Sequence, residues 1–472
     1  MTLTLTPDPT DRRRAGPLLS RLPVGLKGLF DGRLELNALA LMITTVATAV
    51  LGLVFWTVAA RLYAPTQVGL GSATISTLTL LAGLAQFNLG NVYGRFLPTS
   101  GRSSRRFVFT GYAAVAVSGL LLGAGFLALG FGAAIVTTTS DRWWFPVLVA
   151  VLAIFTLQDY VLVAIQAAKV VPVENIIFSV VKIVLLVVLA GHAPHRGITI
   201  SWVIPAAIGV LIISAVLRVR GLPHAGSAGA PAGSLPGPRA LGSVVAGEYV
   251  TGAIQVIIPM GLPLIVVWRL GAEANAYFAM PWLIATAVTM LTWNVASSLL
   301  VEAALDPAQA RALVRRALRL TLVIGSVGSV LQLAAAPLVL GVLGSGYATR
   351  GTDLLRVLAL TIPANAVLVT WATLMRIHGR MIVLILQQTV TTAAVLVLTV
   401  LLLPGLGVTG AGVGYLIVQG GCAVVVLPPL VRMLRRGPGE LAASVRPPAR
   451  HLRRKESSWF RSSPVRARKQ PW

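Results

Sequence analysis

Long apolar runs recur along most of this chain, and they limit what it can fold into. Runs of about 20 apolar residues, each long enough to cross a ~30 Å hydrocarbon core as a helix, occur twelve times. The predicted spans are 37–60, 68–94, 107–131, 145–168, 173–190, 199–217, 243–267, 274–300, 318–343, 353–375, 381–404 and 410–430. The composition agrees, because 56% of the residues are hydrophobic and only 11% are charged. The sequence therefore predicts an all-α polytopic membrane protein.

The basic residues divide unevenly between the two sides of such a bundle. If the spans alternate in direction, 32 of the 39 Lys and Arg residues fall on the side that holds both termini, and 5 fall on the other side. Cytoplasmic loops carry the excess of Lys and Arg, so both termini are predicted to be cytoplasmic in a multi-pass protein of the cell membrane. The net charge of +25 then reflects topology and a basic tail that touches anionic lipid. Nucleic-acid binding is not expected.

A segment rich in Pro, Gly and Ala, residues 223–239, divides the chain in the middle. Its composition predicts a cytoplasmic linker and not a span. Six spans lie on either side, so the halves have the same orientation, as in transporters built from parallel repeats. Arg61-Leu62-x-Ala64 after the first span matches Arg269-Leu270-x-Ala272 after the seventh. The predicted domains are an N-terminal segment (1–36), an N-lobe (37–220), the linker (221–242), a C-lobe (243–430) and a basic tail (431–472).

Motifs for covalent chemistry are missing from the sequence. No phosphate-binding GxxxxGK[ST] loop occurs, and the single cysteine, Cys422, can build neither a disulfide framework nor a zinc cluster. The pair His192 and His195 is typical of a turn, and the GxGxxG match at 405–410 joins two spans and follows no strand. We therefore expect no enzyme activity, no metal and no cofactor.

Polar side chains inside the predicted spans follow helical spacing. Polar groups are costly in hydrocarbon, so such a stripe indicates a helix face that meets protein or water. Helix packing explains a single stripe equally well, but stripes at the start of both halves favour a shared central cavity. The predicted cavity residues are Asn37, Thr44, Thr48, Ser76, Thr79, Gln86, Glu248, Thr251, Gln255 and Trp293.

Two opposite charges fall at the same predicted depth in neighbouring spans. Asp159 lies nine residues before the end of the fourth span, and Lys182 lies nine residues after the start of the fifth. At about 1.5 Å rise per residue, both lie ~13 Å from the same membrane face. An isolated charge at that depth is costly, so we predict that Asp159 and Lys182 form a buried pair. The pair either fixes the hairpin or serves headgroup binding or proton coupling.

Three segments carry a resemblance to a known family. Residues 60–98, ARLYAPTQVGLGSATISTLTLLAGLAQFNLGNVYGRFLP, resemble the second-helix region of the multidrug/oligosaccharidyl-lipid/polysaccharide exporter superfamily, especially its polysaccharide-unit flippases. Residues 343–360 and 377–416 look like the same family. Residues 377–416 follow the order that is typical of this family: Gly-Arg, two helices, Pro and then Gly-x-x-Gly-Ala. The resemblance implies a twelve-helix, two-lobed transporter with alternating access and a cavity lined chiefly by helices 1, 2, 7 and 8.

The resemblance implies a flippase that moves a polyprenyl-pyrophosphate-linked oligosaccharide, or a related cell-envelope glycolipid, to the outer leaflet for polysaccharide biosynthesis. Pyrophosphate favours Arg or Lys near the cavity, and the candidates are Arg61, Arg95, Arg269 and Lys182. The expected partners are the lipid-linked glycan, membrane lipids and glycosyltransferases or a polymerase. The alternatives are a cation-coupled multidrug exporter of the same superfamily and a non-transporting membrane scaffold for cell-wall enzymes.

Overall fold

Twelve long helices, α1 to α12, make up most of the described chain. The computed structural model describes residues 33–97, 100, 103–136, 138–165, 167, 170–193, 195–219, 238–305, 310–377 and 380–435. The helices are α1 (Arg33–Leu62), α2 (Pro65–Ala85), α3 (Ser104–Ala128), α4 (Thr139–Ala164), α5 (Val170–His192), α6 (Gly197–Val219), α7 (Pro238–Leu270), α8 (Ala272–Leu305), α9 (Ala310–Leu343), α10 (Ser345–Ile377), α11 (Met381–Leu406) and α12 (Val408–Arg435). A short helix, Leu89–Phe96, follows α2.

The length and hydropathy of these helices suit a membrane. Ten helices of the described chain are long and apolar enough to span it, and Thr48–Leu62 adds a shorter apolar segment in α1. Hydrocarbon offers the backbone no hydrogen-bond partner, whereas a helix pairs its own N–H and C=O groups. The fold is therefore the predicted one, with α1–α6 in the N-lobe and α7–α12 in the C-lobe.

The helices run between two ends of the bundle. We name them the termini side, where α1 begins and α12 ends, and the far side, where α1 ends and α2 begins. At the far side of the C-lobe the hairpins turn at Gly271 and Gly407, whose φ angles are +87° and +56°. Left-handed backbone of this kind costs glycine little, because glycine has no Cβ. Such tight turns leave little chain outside the membrane at this end.

The lobes share one apolar core on the far side and have separate cores on the termini side. The shared core joins the end of α1 and the start of α2 to the far-side halves of α7 to α12, with Phe55, Tyr63, Leu262 and Phe278 among its buried members. A second core lies almost wholly in the N-lobe. A third, around Trp371, lies in the termini-side half of the C-lobe. The described residues of the two lobes therefore share an apolar core on the far side and not on the termini side.

Several predicted boundaries differ from the observed ones. The second span, predicted as one helix over 68–94, stops at Ala85 and resumes at Leu89. Phe87 and Asn88 between them have φ angles of +48° and +53°, which break the helix. α7 begins at Pro238, inside the segment predicted as linker, and α12 runs on to Arg435. Residues 1–32, 220–237 and 436–472, which hold most of the predicted N-terminal segment, linker and tail, lie outside the described residues.

Candidate functional site: a cavity between the lobes

Three adjoining cavities occupy the cleft between the lobes. Their volumes are about 590 Å³ nearest the termini side, about 510 Å³ at mid-depth and about 300 Å³ within the C-lobe. Gln255 of α7 lines all three. We therefore treat them as one central cavity and name its parts the entrance, the middle and the C-lobe niche.

Contacts between the lobes close the far end of this cavity. Asn275 Nδ2 in α8 donates hydrogen bonds to the carbonyl oxygen of Gly69 at 2.8 Å and to Ser72 Oγ at 2.9 Å, both in α2. The backbones approach so closely that a Cβ added to Gly69 would lie 1.7 Å from the carbonyl oxygen of Ala272. Arg61 Nε in α1 donates to the carbonyl oxygen of Val342 in α9 at 2.8 Å. These contacts join the lobes directly on the far side.

The entrance extends to the termini side. Asn88 and Asn91, which follow α2, and Arg376 and Met381, at the end of α10 and the start of α11, line it. The rings of Phe87 and Tyr249 face each other across the cleft with centroids 5.3 Å apart. Among the described residues, the cavity lining thus extends toward the termini side, and the contacts of α2 with α8 and of α1 with α9 lie at its far end.

The polar part of the lining consists mainly of neutral hydrogen-bonding groups, which lie among aromatic and aliphatic side chains. The C-lobe niche is lined by Asn365, Gln387, Gln388, Thr391, Thr392, Gln419, Thr286 and Thr289, with Trp282, Trp293 and Tyr415. Buried Oε1 atoms of Gln387 and Gln388 have no hydrogen-bond partner. Among the described lining residues of all three parts, Arg376 is the one charged side chain. Its guanidinium carbon lies 5.7 Å from the centroid of the Trp293 ring.

Five of the predicted cavity residues line the cavity. These are Ser76, Thr79, Gln86, Gln255 and Trp293. Gln86 also donates a hydrogen bond to Thr156 of α4, which fixes its amide at the entrance. Thr48 is described but lines none of the three parts. The side chains of Asn37, Thr44, Glu248 and Thr251 lie outside the described residues.

The structure places two headgroup candidates away from the cavity, which corrects that expectation. Arg61 and Arg269 lie in the last turns of α1 and α7 on the far side. Arg61 bonds to the carbonyl oxygen of Val342, and Arg269 stacks over Trp268 at 4.5 Å. A cation at a helix C-terminus is stabilised by the unpaired carbonyl groups there. The helix ends therefore explain the positions of both arginines without a substrate. The side chain of Arg95 lies outside the described residues.

The predicted pair of Asp159 and Lys182 does not form. Asp159 Oδ2 accepts a hydrogen bond from Asn175 Nδ2 at 3.4 Å. Lys182 is 4% exposed, and its Nζ lies 3.9 Å from the centroid of the Trp202 ring, near two further rings, those of Phe178 and Phe55. The predicted depths were wrong, because α4 ends at Ala164 and α5 begins at Val170. Asp159 is therefore level with Asn175, and Lys182 lies about 10 Å farther along α5 at about 1.5 Å rise per residue.

Sequence reasoning missed the C-lobe niche and Arg376. The run Gln387-Gln388-Thr389-Val390-Thr391-Thr392 inside the predicted eleventh span was a usable signal, because five polar residues within two turns of a span need a polar neighbour. Arg376 follows the tenth predicted span, where a basic residue is expected at the membrane boundary. In the structure α10 continues to Ile377, which places Arg376 at the cavity entrance.

Comparison with known proteins identifies the fold. No family model and no curated protein matches the sequence. A solved structure described as the inward-facing conformation of a multidrug resistance MATE family transporter of the MOP superfamily superimposes with a TM-score of 0.61 at 13% identity, covering 84% of this chain and 95% of that one. The lipid II flippase MurJ in an inward closed conformation gives 0.63 at 12% identity, covering 83% and 87%. The chain therefore has the fold of the exporter superfamily that the sequence resembles.

Proposed function

We propose that the protein is a membrane flippase that carries a polyprenyl-pyrophosphate-linked oligosaccharide, or a related cell-envelope glycolipid, to the outer leaflet by alternating access. The observation that supports this most is the chemistry of the cavity. Its described lining combines aliphatic and aromatic side chains with neutral amides and hydroxyls and one arginine, and it holds no carboxylate. A bulky neutral headgroup attached to an anionic phosphate suits such a lining.

Each part of this substrate has a physical counterpart in the cavity. Sugar hydroxyls can pair with the amides and hydroxyls that line the C-lobe niche, Gln388 and Thr391 among them, since a polar group that leaves water needs a new hydrogen-bond partner. A guanidinium binds phosphate oxygens through a planar fork of N–H donors, which suits Arg376 to the pyrophosphate. The lipid tail can stay in the bilayer, so only the headgroup needs a polar path.

The closed far side and the cleft at the termini side correspond to one end state of the transport cycle. With both termini in the cytoplasm, as the basic residues indicate, this state faces the cytoplasm. Loading would occur there, and release would require the α2–α8 contact at Gly69 and Asn275 to open. Anionic lipid beside the basic tail, and glycosyltransferases or a polymerase, are further proposed partners.

A multidrug exporter is the second candidate. It is supported by the similarity to a solved structure described as a multidrug resistance transporter and by the middle of the cavity, where Met260, Met280 and Met290 lie beside Trp282. Flexible thioethers and rings suit varied apolar ligands. The similarity to a lipid II flippase supports the first candidate. The flippase and the exporter differ in the charge of the expected substrate, so an experiment that uses both kinds of substrate can distinguish them.

The experiment is a leaflet-exchange assay with purified protein in liposomes. A fluorescent polyprenyl-pyrophosphate disaccharide is placed in the membrane, and an impermeant quencher reports its movement between leaflets. We expect the wild type to accelerate exchange. Arg376→Gln should slow it by about tenfold or more, since a hydrogen bond to a charged group is worth about 1.5–3 kcal/mol, and Gln388→Leu by about fivefold, since a bond between neutral groups is worth about 0.5–1.5 kcal/mol. Val390→Leu, a lipid-facing change in the same helix as Gln388, is the matched control and should be silent.

The same vesicles test the alternatives. If they expel ethidium against a gradient while the glycolipid does not move, the protein is an exporter and not a flippase. If neither substrate moves in vesicles whose protein is folded, the scaffold alternative gains support. If the wild type moves the glycolipid but Arg376→Gln and Gln388→Leu do so at the wild-type rate, the cavity assignment is wrong.

A further inference from the structure

A fourth cavity lies within the N-lobe at the far side, and we name it the far-side pocket. Its volume is about 770 Å³, and it lies between α2, the start of α4 with the connection before it, and the connection from α5 to α6. Leu70 and Thr74 of α2 line it, whereas Gly69 and Ser72 bond to α8. Among the described residues it shares no lining residue with the central cavity.

A guanidinium is held in place at the rim of this pocket. Arg196 Nε lies 3.1 Å from Asp141 Oδ1, and Arg196 Nη2 donates to Thr138 Oγ1 at 2.8 Å. The Thr138 hydroxyl donates in turn to Asp141 Oδ2 at 2.6 Å, so the one carboxylate among the described lining residues has a partner at each oxygen. An arginine has further N–H donors, which a ligand in the pocket can use. His192 and His195 line the same rim.

The rest of the lining is largely apolar and adjoins an aromatic surface. Its apolar members, the floor of the pocket, are Leu70, Ile135, Phe145, Leu148, Ile198 and Ile200. Trp144, in the second turn of α4, also lines the pocket and is 61% exposed, and its neighbour Trp143 is 79% exposed. Exposed tryptophans near the ends of membrane helices lie at the level of the lipid headgroups. The pocket therefore opens where headgroups and acyl chains of the far leaflet meet.

We propose that the far-side pocket binds a phosphate-bearing lipid of the far leaflet, with the phosphate at Arg196, His192 and His195 and part of an acyl chain on the floor. A guanidinium binds phosphate oxygens through its fork of N–H donors, and basic pockets between membrane helices hold lipid headgroups in this way. A free phosphate ion would use the rim but leave the apolar floor uncovered, so a lipid fits the whole pocket better. The site is separate from the central cavity and stands whether or not the protein moves a glycolipid.

Photo-crosslinking of the full-length protein in dodecyl maltoside, a detergent without phosphate, tests this site. The probe is phosphatidylglycerol with a diazirine in one acyl chain, and mass spectrometry of peptides locates the product. We expect labelling of the floor, at Leu148 or Ile200, and an about tenfold excess of unlabelled phosphatidylglycerol should reduce it about tenfold by mass action. Diacylglycerol with the same chains, which lacks the phosphate, should not compete. Leu211 of α6, which is 70% exposed and outside the pocket, is the internal reference for labelling that ignores the headgroup.

Variants at the rim separate phosphate recognition from general attraction. Arg196→Gln should reduce labelling of the floor by about tenfold, since it removes charge-assisted hydrogen bonds to the phosphate. Arg142→Gln is the matched control, because Arg142 is exposed nearby but does not line the pocket, and its labelling should equal that of the wild type. Ser140→Trp fills the rim at an exposed lining position and keeps the contacts of Arg196, so it should also abolish labelling of the floor while Leu211 stays labelled.

Four results would overturn the proposal. Diacylglycerol that competes as well as phosphatidylglycerol would mean that the pocket does not recognise the phosphate. Inorganic phosphate that displaces the probe as completely as the lipid does would make this a site for the free ion. An equal loss in Arg142→Gln would indicate only general attraction of an anionic lipid, and unchanged labelling of the floor in both Arg196→Gln and Ser140→Trp would place the lipid elsewhere.

Discussion

At the scale of single residues, Lys182 shows how a buried charge can be stabilised without an acidic partner. Its Nζ lies 3.9 Å from the centroid of the Trp202 ring, 5.0 Å from that of Phe178 and 5.2 Å from that of Phe55. An ammonium over aromatic faces gains on the order of 2 kcal/mol when desolvated. The lysine thereby connects α5 to α1 and α6.

Because of this arrangement, the double variant of Asp159 and Lys182 should behave differently from the double variant of an ion pair. Because Lys182 and Asp159 have different partners, Lys182→Met and Asp159→Asn should destabilise the protein independently, with effects on the unfolding free energy that add to within about 0.5 kcal/mol. Lys182→Met and Trp202→Leu share a contact and should not add. Thermal unfolding of the three single and two double variants in detergent measures this. Recovery of stability in the Asp159–Lys182 double variant would restore the ion-pair model.

At the scale of elements, the crossing of α2 and α8 determines how the far side closes. A methyl group on Gly69 would lie 1.7 Å from the carbonyl oxygen of Ala272, so the two helices must separate to accept it. We expect Gly69→Ala to cost about 1–3 kcal/mol, seen as a lower melting temperature. Gly94→Ala is the matched control, since no atom lies within 4 Å of its added methyl. Equal melting temperatures for the two variants would mean that the helices do not meet as described.

The elements also show what sequence could and could not provide. All twelve spans were predicted because a membrane helix must be apolar for about 20 residues, and this pattern is local. The break at Phe87 and Asn88 was not predicted, since a left-handed residue pair leaves no clear trace in an apolar stretch. Thr79 and Gln255 were found from helical spacing. The polar face of α11 was overlooked. The depth of Lys182 was wrong because the sequence does not fix where α4 ends and α5 begins.

At the scale of the whole molecule, orientation in the membrane is testable without a substrate. The uneven division of basic residues predicts that the termini side is cytoplasmic. In Cys422→Ala protein, cysteines placed at Ser103, Ser227 and Ser457 should react with an impermeant thiol reagent only after the cells are permeabilised. Cysteines at Thr138 and Thr349, both exposed on the far side, should react in intact cells. Labelling at position 227 from outside would exclude the parallel arrangement of the lobes.

Transport by a protein of this shape requires the far side to open, because the cavity is closed there by contacts between the lobes. Asn275 Nδ2 and Ser72 Oγ lie 2.9 Å apart across that closure. Cysteines at these two positions, in Cys422→Ala protein, place two thiols where an oxidant can join α2 to α8. The single-cysteine variants, treated in the same way, control for the substitutions themselves.

The most direct measurement is the leaflet-exchange rate of the fluorescent glycolipid in vesicles that contain the Ser72→Cys/Asn275→Cys protein. After oxidation, with the cross-link verified by mass spectrometry, exchange should fall to the rate of protein-free vesicles and should return when dithiothreitol cleaves the bond. Exchange that continues at the wild-type rate while the cross-link is complete would contradict alternating access through this cavity.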